Sequence, residues 1–347
     1  MAVWRMIKRA VAMREAGVLL GFAVIVIFFG LYTDTFFTGR NIMNVIRQSA
    51  ILGIMAMAVN FLMICGEFDL SIGSTFALTG IVAVVLMEAG VPPVLAFAAV
   101  LAMGCIIGLL NGLFVTKTGI PSFICTMATM MMIRSTVLLV SSSRPRVLGD
   151  RGVLALIFGG GTVFGVIPVP ILLFLAVVVV SWIVLSRTPF GYKVYATGDN
   201  LQAAQLSGIN TDRVKIASFV YTSFAAALGG LVCLCFLRMV SPTQGSGYEL
   251  KAIASCVIGG TALAGGIGSV MGAFLGSTTL AVIENGLVLM HTSPYLHDLV
   301  VGGVVLAAVI LNARMLKRQH FVSTISTRDT LFTEPPTSDP PDQAASP

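Results

Sequence analysis

Two carboxylates, Glu67 and Asp69, stand in the stretch CGEFDLSIGS between two apolar runs of this 347-residue chain. A charge among apolar residues is costly, so an ionisable group there is by default a candidate for function. Because both residues lie near segment ends, a second interpretation is that they reach an interface or cap a helix. Glu284, in the apolar run VIENGLVL, allows the same two interpretations. The residue types favour neither.

Amide and hydroxyl side chains also interrupt the apolar runs. Asn111 and Asn285 are each followed by Gly and Leu, and Ser71 lies two residues after Asp69. Such groups either line a polar pathway or hydrogen-bond neighbouring helices together, and both alternatives stay open. As candidate residues of a translocation pathway we take Asp69, Ser71, Asn111 and Asn285.

Catalysis has weaker support in the sequence. No Gly is followed by Lys, so the chain lacks the loop that cradles nucleotide phosphates, and any ATP must be hydrolysed by another polypeptide. The three His show no metalloprotease spacing, and the six Cys sit in or beside apolar runs without paired zinc spacing. We expect no metal, no cofactor and no enzymatic activity in this chain.

The amino-acid composition indicates whether water or lipid surrounds the chain. Of the residues, 56% are hydrophobic and only 10% are charged, which cannot give a water-compatible surface. The net charge of +6 is spread over loop ends rather than gathered on one face, which argues against nucleic acid as a partner. The chain is therefore expected to be an integral membrane protein in contact with lipid.

Apolar runs predict an all-α, polytopic membrane protein with about ten crossings, some of them interrupted and Gly-rich. Lys and Arg cluster before the first run, in the centre and after the last run, and such clusters mark the cytoplasmic side. Arg144, Arg146 and Arg151 fall on the other side, but the three clusters together carry more weight in assigning the cytoplasmic side than this one loop. Both termini are then cytoplasmic. The runs lie at about 17 to 32, 49 to 65, 70 to 88, 93 to 116, 121 to 140, 163 to 186, 216 to 237, 252 to 267, 270 to 290 and 296 to 312.

The chain divides into three parts on this interpretation. Residues 1–15 form a cytoplasmic N-terminus, and residues 16–313 form the transmembrane domain, with a cytoplasmic loop at 187–215. Residues 314–347 are rich in Pro, Ser and acidic residues and are expected to be a mostly disordered cytoplasmic tail.

A polar island, GDNLQAAQLSGINTDRVK, lies in the middle of this apolar chain. Asn200 is a good N-cap, Leu201 to Ser207 can form about two helical turns, and Gly208 suits the left-handed residue that ends a helix. From the residues alone, the segment is either an ordinary interfacial loop or a docking element for a cytosolic partner.

Four motifs follow one another between about residues 42 and 312: GEFDLSIGS, GLLNGLFVTKTGIPSFICTMATMMMIRS, TPFGYKVYATGDNLQAAQLSGI and GYELKAIASCVIGGTALAGGIGSVMGAFLG. In this order they resemble the membrane permease subunit of bacterial ABC importers of the ribose-type sugar family. Glu67, Ser122 and Ala128 depart from that pattern, which usually has Gly, Pro and Gly there.

The resemblance implies that the island carries the coupling helix, which sits in a groove of a cytosolic ATP-binding subunit. Its small Ala residues would permit close approach, and its Leu and Ile side chains would anchor it. The residues that match the family motif are Gly198, Asn200, Ala203, Ala204, Gly208 and Ile209, and Leu201 and Leu206 join Ile209 as apolar anchors in the expected coupling set.

The resemblance also implies a periplasmic or extracellular solute-binding protein, a second permease subunit in a homodimer or heterodimer, and a place in the bacterial inner membrane. Ribose or another monosaccharide is the expected solute, and a polyol or a furanosyl autoinducer is the alternative. A different class, an ion-coupled secondary transporter, would explain the interrupted segments but has no use for a docking helix.

Overall fold

The computed structural model describes residues 16–149, 156–163, 167–293, 296–297, 299–307 and 309–310. The predicted cytoplasmic N-terminus and C-terminal tail lie outside these residues. Eleven helices have described bounds: α1 Ala16–Tyr32, α2 Gly39–Ile64, α3 Ile72–Glu88, α4 Pro93–Thr118, α5 Ser122–Ser141, α6 Val169–Arg187, α7 Pro189–Asp199, α8 Leu201–Leu206, α9 Thr211–Leu237, α10 Tyr248–Ile258 and α11 Val270–Leu289. The described residues from 296 to 310 are helical as well.

Little of the described chain is extended. Four two-residue strands pair antiparallel as β1 (Arg146–Val147) with β4 (Met239–Val240) and as β2 (Thr162–Val163) with β3 (Ile167–Pro168). A single π-helical turn, Leu156–Gly160, precedes β2. The protein is thus an all-α, multi-spanning fold, as the sequence predicts.

Among the described residues, six helices are long and apolar enough to cross a membrane: α2, α4, α5, α6, α9 and α11. α2, α9 and α11 are mostly buried in the protein, whereas α4, α5 and α6 expose most of their apolar side chains. The second group is the surface that lipid tails or another apolar partner must cover. α1 and α3 are apolar but shorter, with 17 residues each.

Helix starts and stops depart from the apolar runs where local capping decides. α2 begins ten residues before its apolar run, because the Thr38 hydroxyl accepts a hydrogen bond from the Asn41 backbone N–H at 3.4 Å. α4 begins at Pro93 and ends at Thr118, and the next residue, Gly119, has a φ of +71° that suits the left-handed C-terminal position. The predicted crossing at 252 to 267 is helical only to Ile258.

The connecting segments gather at two ends of the bundle, which α4 separates by about 39 Å at the standard helical rise. At one end, Lys117 pairs with Asp212 at 3.0 Å. At the other, Arg146 pairs with Glu88 at 2.8 Å beside the β1–β4 strands. We call the first the α8 end, since α8 lies close along the chain to Asp212, and the second the strand end.

Candidate functional site

The first interrupted segment joins α2 to α3 through residues 65–71, of which Glu67 to Asp69 have no regular structure. Two of its backbone N–H groups donate hydrogen bonds to α5. The Ser122 hydroxyl accepts from the Phe68 N–H, and the Thr126 hydroxyl accepts from the Leu70 N–H, both at 3.1 Å. Such bonds are what non-helical backbone needs at membrane depth. α5 therefore supports this segment directly.

Asp69 is fully buried at the centre of a polar network. Its Oδ1 accepts from the Ser71 N–H at 2.8 Å and from the Ser71 hydroxyl at 2.6 Å. Ser223 on α9 donates to Oδ2 at 3.3 Å, and the Asn111 amide donates to Ser71 Oγ at 3.0 Å. These hydrogen bonds hold the Asp69 carboxyl group in a fixed position and order the turn before α3. Asp69 is not itself the N-cap of α3, which is Ser71, and a place for Asp69 in a pathway stays a prediction.

The structure thus brings together three of the four candidate pathway residues, Asp69, Ser71 and Asn111. The fourth, Asn285, is buried on α11 and takes no part in these hydrogen bonds; its Oδ1 has no partner among the described residues. Its neighbour Glu284 lies 2.7 Å from the Lys251 ammonium of α10. Asn285 therefore follows a residue of an α10–α11 ion pair in the sequence and is not part of the Asp69 network.

Glu67 forms an ion pair that no sequence pattern indicates. Its Oε1 lies 2.6 Å from the Lys215 ammonium, and the two side chains are only 13% and 16% exposed. The pair joins the interrupted segment to the second turn of α9. The sequence does not indicate the pair, because 148 positions separate the two residues.

Removing one member of this pair is expected to lower the thermal stability of the protein more than removing both members. Breaking a fully buried pair by deleting one partner costs about 3 to 5 kcal/mol, because a charge stays unpaired, and the residual exposure here lowers that cost. We expect Glu67→Gln and Lys215→Met each to lower the melting temperature of the purified permease, and the double variant to recover most of the loss. Additive losses in thermal unfolding would contradict the pairing.

The helix predicted within the polar island is confirmed. α8 runs Leu201–Leu206, the Asn200 side chain caps it by accepting from the Ala203 N–H at 3.0 Å, and Gly208 has a φ of +81°. A second helix, α7, precedes it and was not predicted. The signal for α7 was available in Pro189, which occupies its first turn.

The orientation of α8 differs from what the resemblance suggests for some residues. Ala204 is buried within this chain, so it lets α8 approach its own protein rather than a partner. Ile209 is partly buried and packs on the main hydrophobic core. Leu206 is 91% exposed, and Leu201 and Ala203 are exposed beside it. Every residue of α8 except Ala204 is exposed, so its outward surface combines Gln202 and Gln205 with Leu201, Ala203 and Leu206.

Comparison with known proteins assigns a family to this arrangement. A family profile described as the permease component of branched-chain amino acid transport systems matches residues 41–309. The chain belongs to this permease family. It is 36% identical to the ribose import permease of Haemophilus influenzae over 83% of this chain and 89% of that protein. The ribose import permease of Bacillus subtilis is 36% identical (87% and 94%), and the xylose transport system permease of Escherichia coli is 32% identical (85% and 90%).

The match covers all four motifs and both interrupted segments, which are residues 65–71 and the connection from α10 to α11 at residues 259–269. The chain is therefore a permease subunit of an ABC importer and a multi-pass protein of the inner membrane, rather than an enzyme. No solved structure matches it with significance. The arrangement of the Asp69 network and of α8 is accordingly described from this chain alone.

Proposed function

We propose that this permease carries ribose or another monosaccharide across the inner membrane, with energy from a separate ATPase that docks on α8. The observation that carries the docking is Leu206, a leucine 91% exposed at the last residue of the short helix α8. An exposed leucine beside small and apolar neighbours is an anchor for a protein groove. An ion-coupled carrier would have no such requirement.

We further propose ten crossings with both termini cytoplasmic. To the six long apolar helices this adds α1, α3, α10 and the helical residues from 296 to 310. α3 is about 26 Å long at the standard rise, and the extended residues before it supply the remaining depth. The α8 end carries Arg187, Lys193, Arg213 and Lys215, which favours the cytoplasmic side for that end.

On this arrangement the strand end faces outward and receives a solute-binding protein. A second permease subunit, identical or similar, completes the pathway. Asp69, Ser71 and Asn111 would then act by holding the start of α3 beside the pathway, and Asn285 would line it from α11. Residues 1–15, 16–313 and 314–347 keep the predicted roles of N-terminal segment, permease domain and tail.

Monosaccharides lead as the solute because the relatives named above import ribose and xylose. The family description names branched-chain amino acids, and a polyol or a furanosyl autoinducer is the alternative among sugar-like solutes. Since a binding protein selects the solute, its ligand is the most direct indicator.

Substrate assignment is tested with the cognate binding protein and with cells. We expect ribose to raise the melting temperature of that protein more than leucine does, and radiolabelled ribose uptake to require this permease together with an intact ATPase. Stabilisation by leucine alone would contradict the sugar assignment. Uptake that persists when the ATPase is inactive would instead favour an ion-coupled carrier.

A further inference from the structure

Glycines from three distant parts of the chain meet at the α8 end without side chains between them. Gly66 starts the interrupted segment before α3, Gly198 lies in the last turn of α7 just before α8, and Gly265 and Gly266 belong to the connection from α10 to α11. We call this set the glycine junction. It is distinct from the Asp69 network and from the outward surface of α8.

The contacts at the glycine junction are between backbones. A methyl group built on Gly265 would lie 2.9 Å from the Gly198 carbonyl oxygen and 2.9 Å from the Gly66 Cα. One on Gly198 would overlap the Ile64 carbonyl oxygen and lie 2.7 Å from the Gly266 nitrogen. Real side chains do not tolerate such distances, so only glycine permits this approach.

Hydrogen bonds fix the three segments in this position. The Gly266 N–H donates to the Ile64 carbonyl at 2.9 Å, and the Tyr195 hydroxyl of α7 donates to the Gly268 carbonyl at 2.7 Å. The buried Asn60 amide of α2 donates to the Ser269 carbonyl at 3.2 Å and accepts from the Thr261 hydroxyl at 2.6 Å. α2, α7 and the α10–α11 connection are thereby bonded into one unit.

Each segment leads to a different part of the transport machinery. Gly198 is followed within three residues by α8, where the ATPase is proposed to dock. Gly66 is followed within three residues by Asp69, and Gly266 stands four residues before α11. A displacement of α8 therefore reaches both interrupted membrane segments through backbone alone. Between the glycines themselves no flexible side chain intervenes that could absorb such a displacement by changing rotamer.

We propose that the glycine junction is the positioning element that transmits movement of the docked α8 to both interrupted segments. This inference rests on the proposed docking of an ATPase at α8. The residues that act are Gly66, Gly198 and Gly265, and they act through the segments they position, not by contact with the solute.

The chain offers a matched pair of substitutions for the test. Gly265 and Gly260 lie in the same connection with φ of +87° and +88°, so replacement by alanine brings comparable backbone strain at both positions. A methyl group on Gly260 meets no atom within 4 Å, whereas one on Gly265 meets Gly198 and Gly66. Only Gly265→Ala wedges the junction apart.

Hydrogen exchange with mass spectrometry, on the permease assembled with its ATPase in nanodiscs, measures the transmission without any solute. In the wild type and in Gly260→Ala, we expect the ATPase to protect residues 201–206, and vanadate-trapped ADP to change exchange at residues 65–71 and 259–269. Gly265→Ala should keep the protection of 201–206 but lose the nucleotide-dependent change at 65–71 by about fivefold or more, the lower end of typical coupling between sites.

Equal nucleotide-dependent changes in Gly265→Ala and Gly260→Ala would overturn the inference, and so would a wild type without any change at 65–71. If Gly265→Ala does not fold, Tyr195→Phe decides: it removes the bond to Gly268 with little change of shape, and an unaltered response at 65–71 in that variant refutes the proposal. Failure of the docking itself would be seen separately, as missing protection of 201–206 in every protein including the wild type.

Discussion

Asp69→Ala is expected to produce the largest loss of stability of any single substitution in the interrupted segment. The buried Ser71 N–H, the Ser71 hydroxyl and the Ser223 hydroxyl would lose their acceptor. Each buried donor left without a partner costs about 1 to 3 kcal/mol. The sum approaches the net stability of a typical domain, about 5 to 15 kcal/mol. Thermal unfolding in nanodiscs should therefore show a large drop or no folded protein.

Two further variants separate the network from a general effect of charge removal. Asp69→Asn keeps the shape and one acceptor oxygen but directs an amide donor at other donors, so an intermediate loss is expected. Glu88→Ala removes a carboxylate that is 46% exposed in its ion pair with Arg146. Because exposed ion pairs contribute little to stability, this variant should melt close to the wild type. If Asp69→Ala melted at the same temperature as Glu88→Ala, the stabilising role of the Asp69 network would be refuted.

Leu206→Asp is expected to abolish solute uptake while the permease stays folded and inserted. The side chain is 91% exposed, so the fold gains little from it. If Leu206 fills a groove of the ATPase, its loss as an anchor and the burial of an unpaired charge together cost at least about 2 to 5 kcal/mol of binding. Co-purification of the ATPase and uptake of radiolabelled ribose should both fall below detection.

Tyr192→Asp is the matched control for that experiment. Tyr192 is 71% exposed on the neighbouring helix α7, at the same end of the bundle, but it lies outside α8. We expect this variant to retain the ATPase and most of the uptake. Loss of both functions in Tyr192→Asp and not in Leu206→Asp would move the docking surface from α8 to α7.

The short helix was predictable because its determinants are local. Asn200 caps α8 and Gly208 ends it, and both act on backbone groups within four residues. The direction in which α8 faces was not predictable from spacing. Ala204 is buried because α8 lies against its own chain, and a six-residue helix has no periodicity long enough to indicate that face.

Long-range pairs were likewise beyond a single sequence. Glu67 and Asp69 stood out as charges in an apolar region, but Lys215 and Ser223 lie about 150 positions away. The hydropathy pattern also did not indicate the start of α2, because its first turns carry the polar residues Asn41 and Arg47. The guanidinium of Arg47 lies 5.5 Å from the ring centre of Phe236, an interaction that helps a charge within an apolar bundle.

The central claim, that α8 is the site at which ATP hydrolysis is coupled to transport, is tested most directly by crosslinking in membranes. Leu206→Cys, in a chain whose six native cysteines are replaced, would be co-expressed with the ATPase subunit and treated with a short thiol-to-amine crosslinker. The control is Leu139→Cys, which is 79% exposed near the strand end. We predict a permease–ATPase adduct at residue 206 and none at residue 139. Equal adducts at both positions, or none at 206 while the complex still transports, would contradict the account.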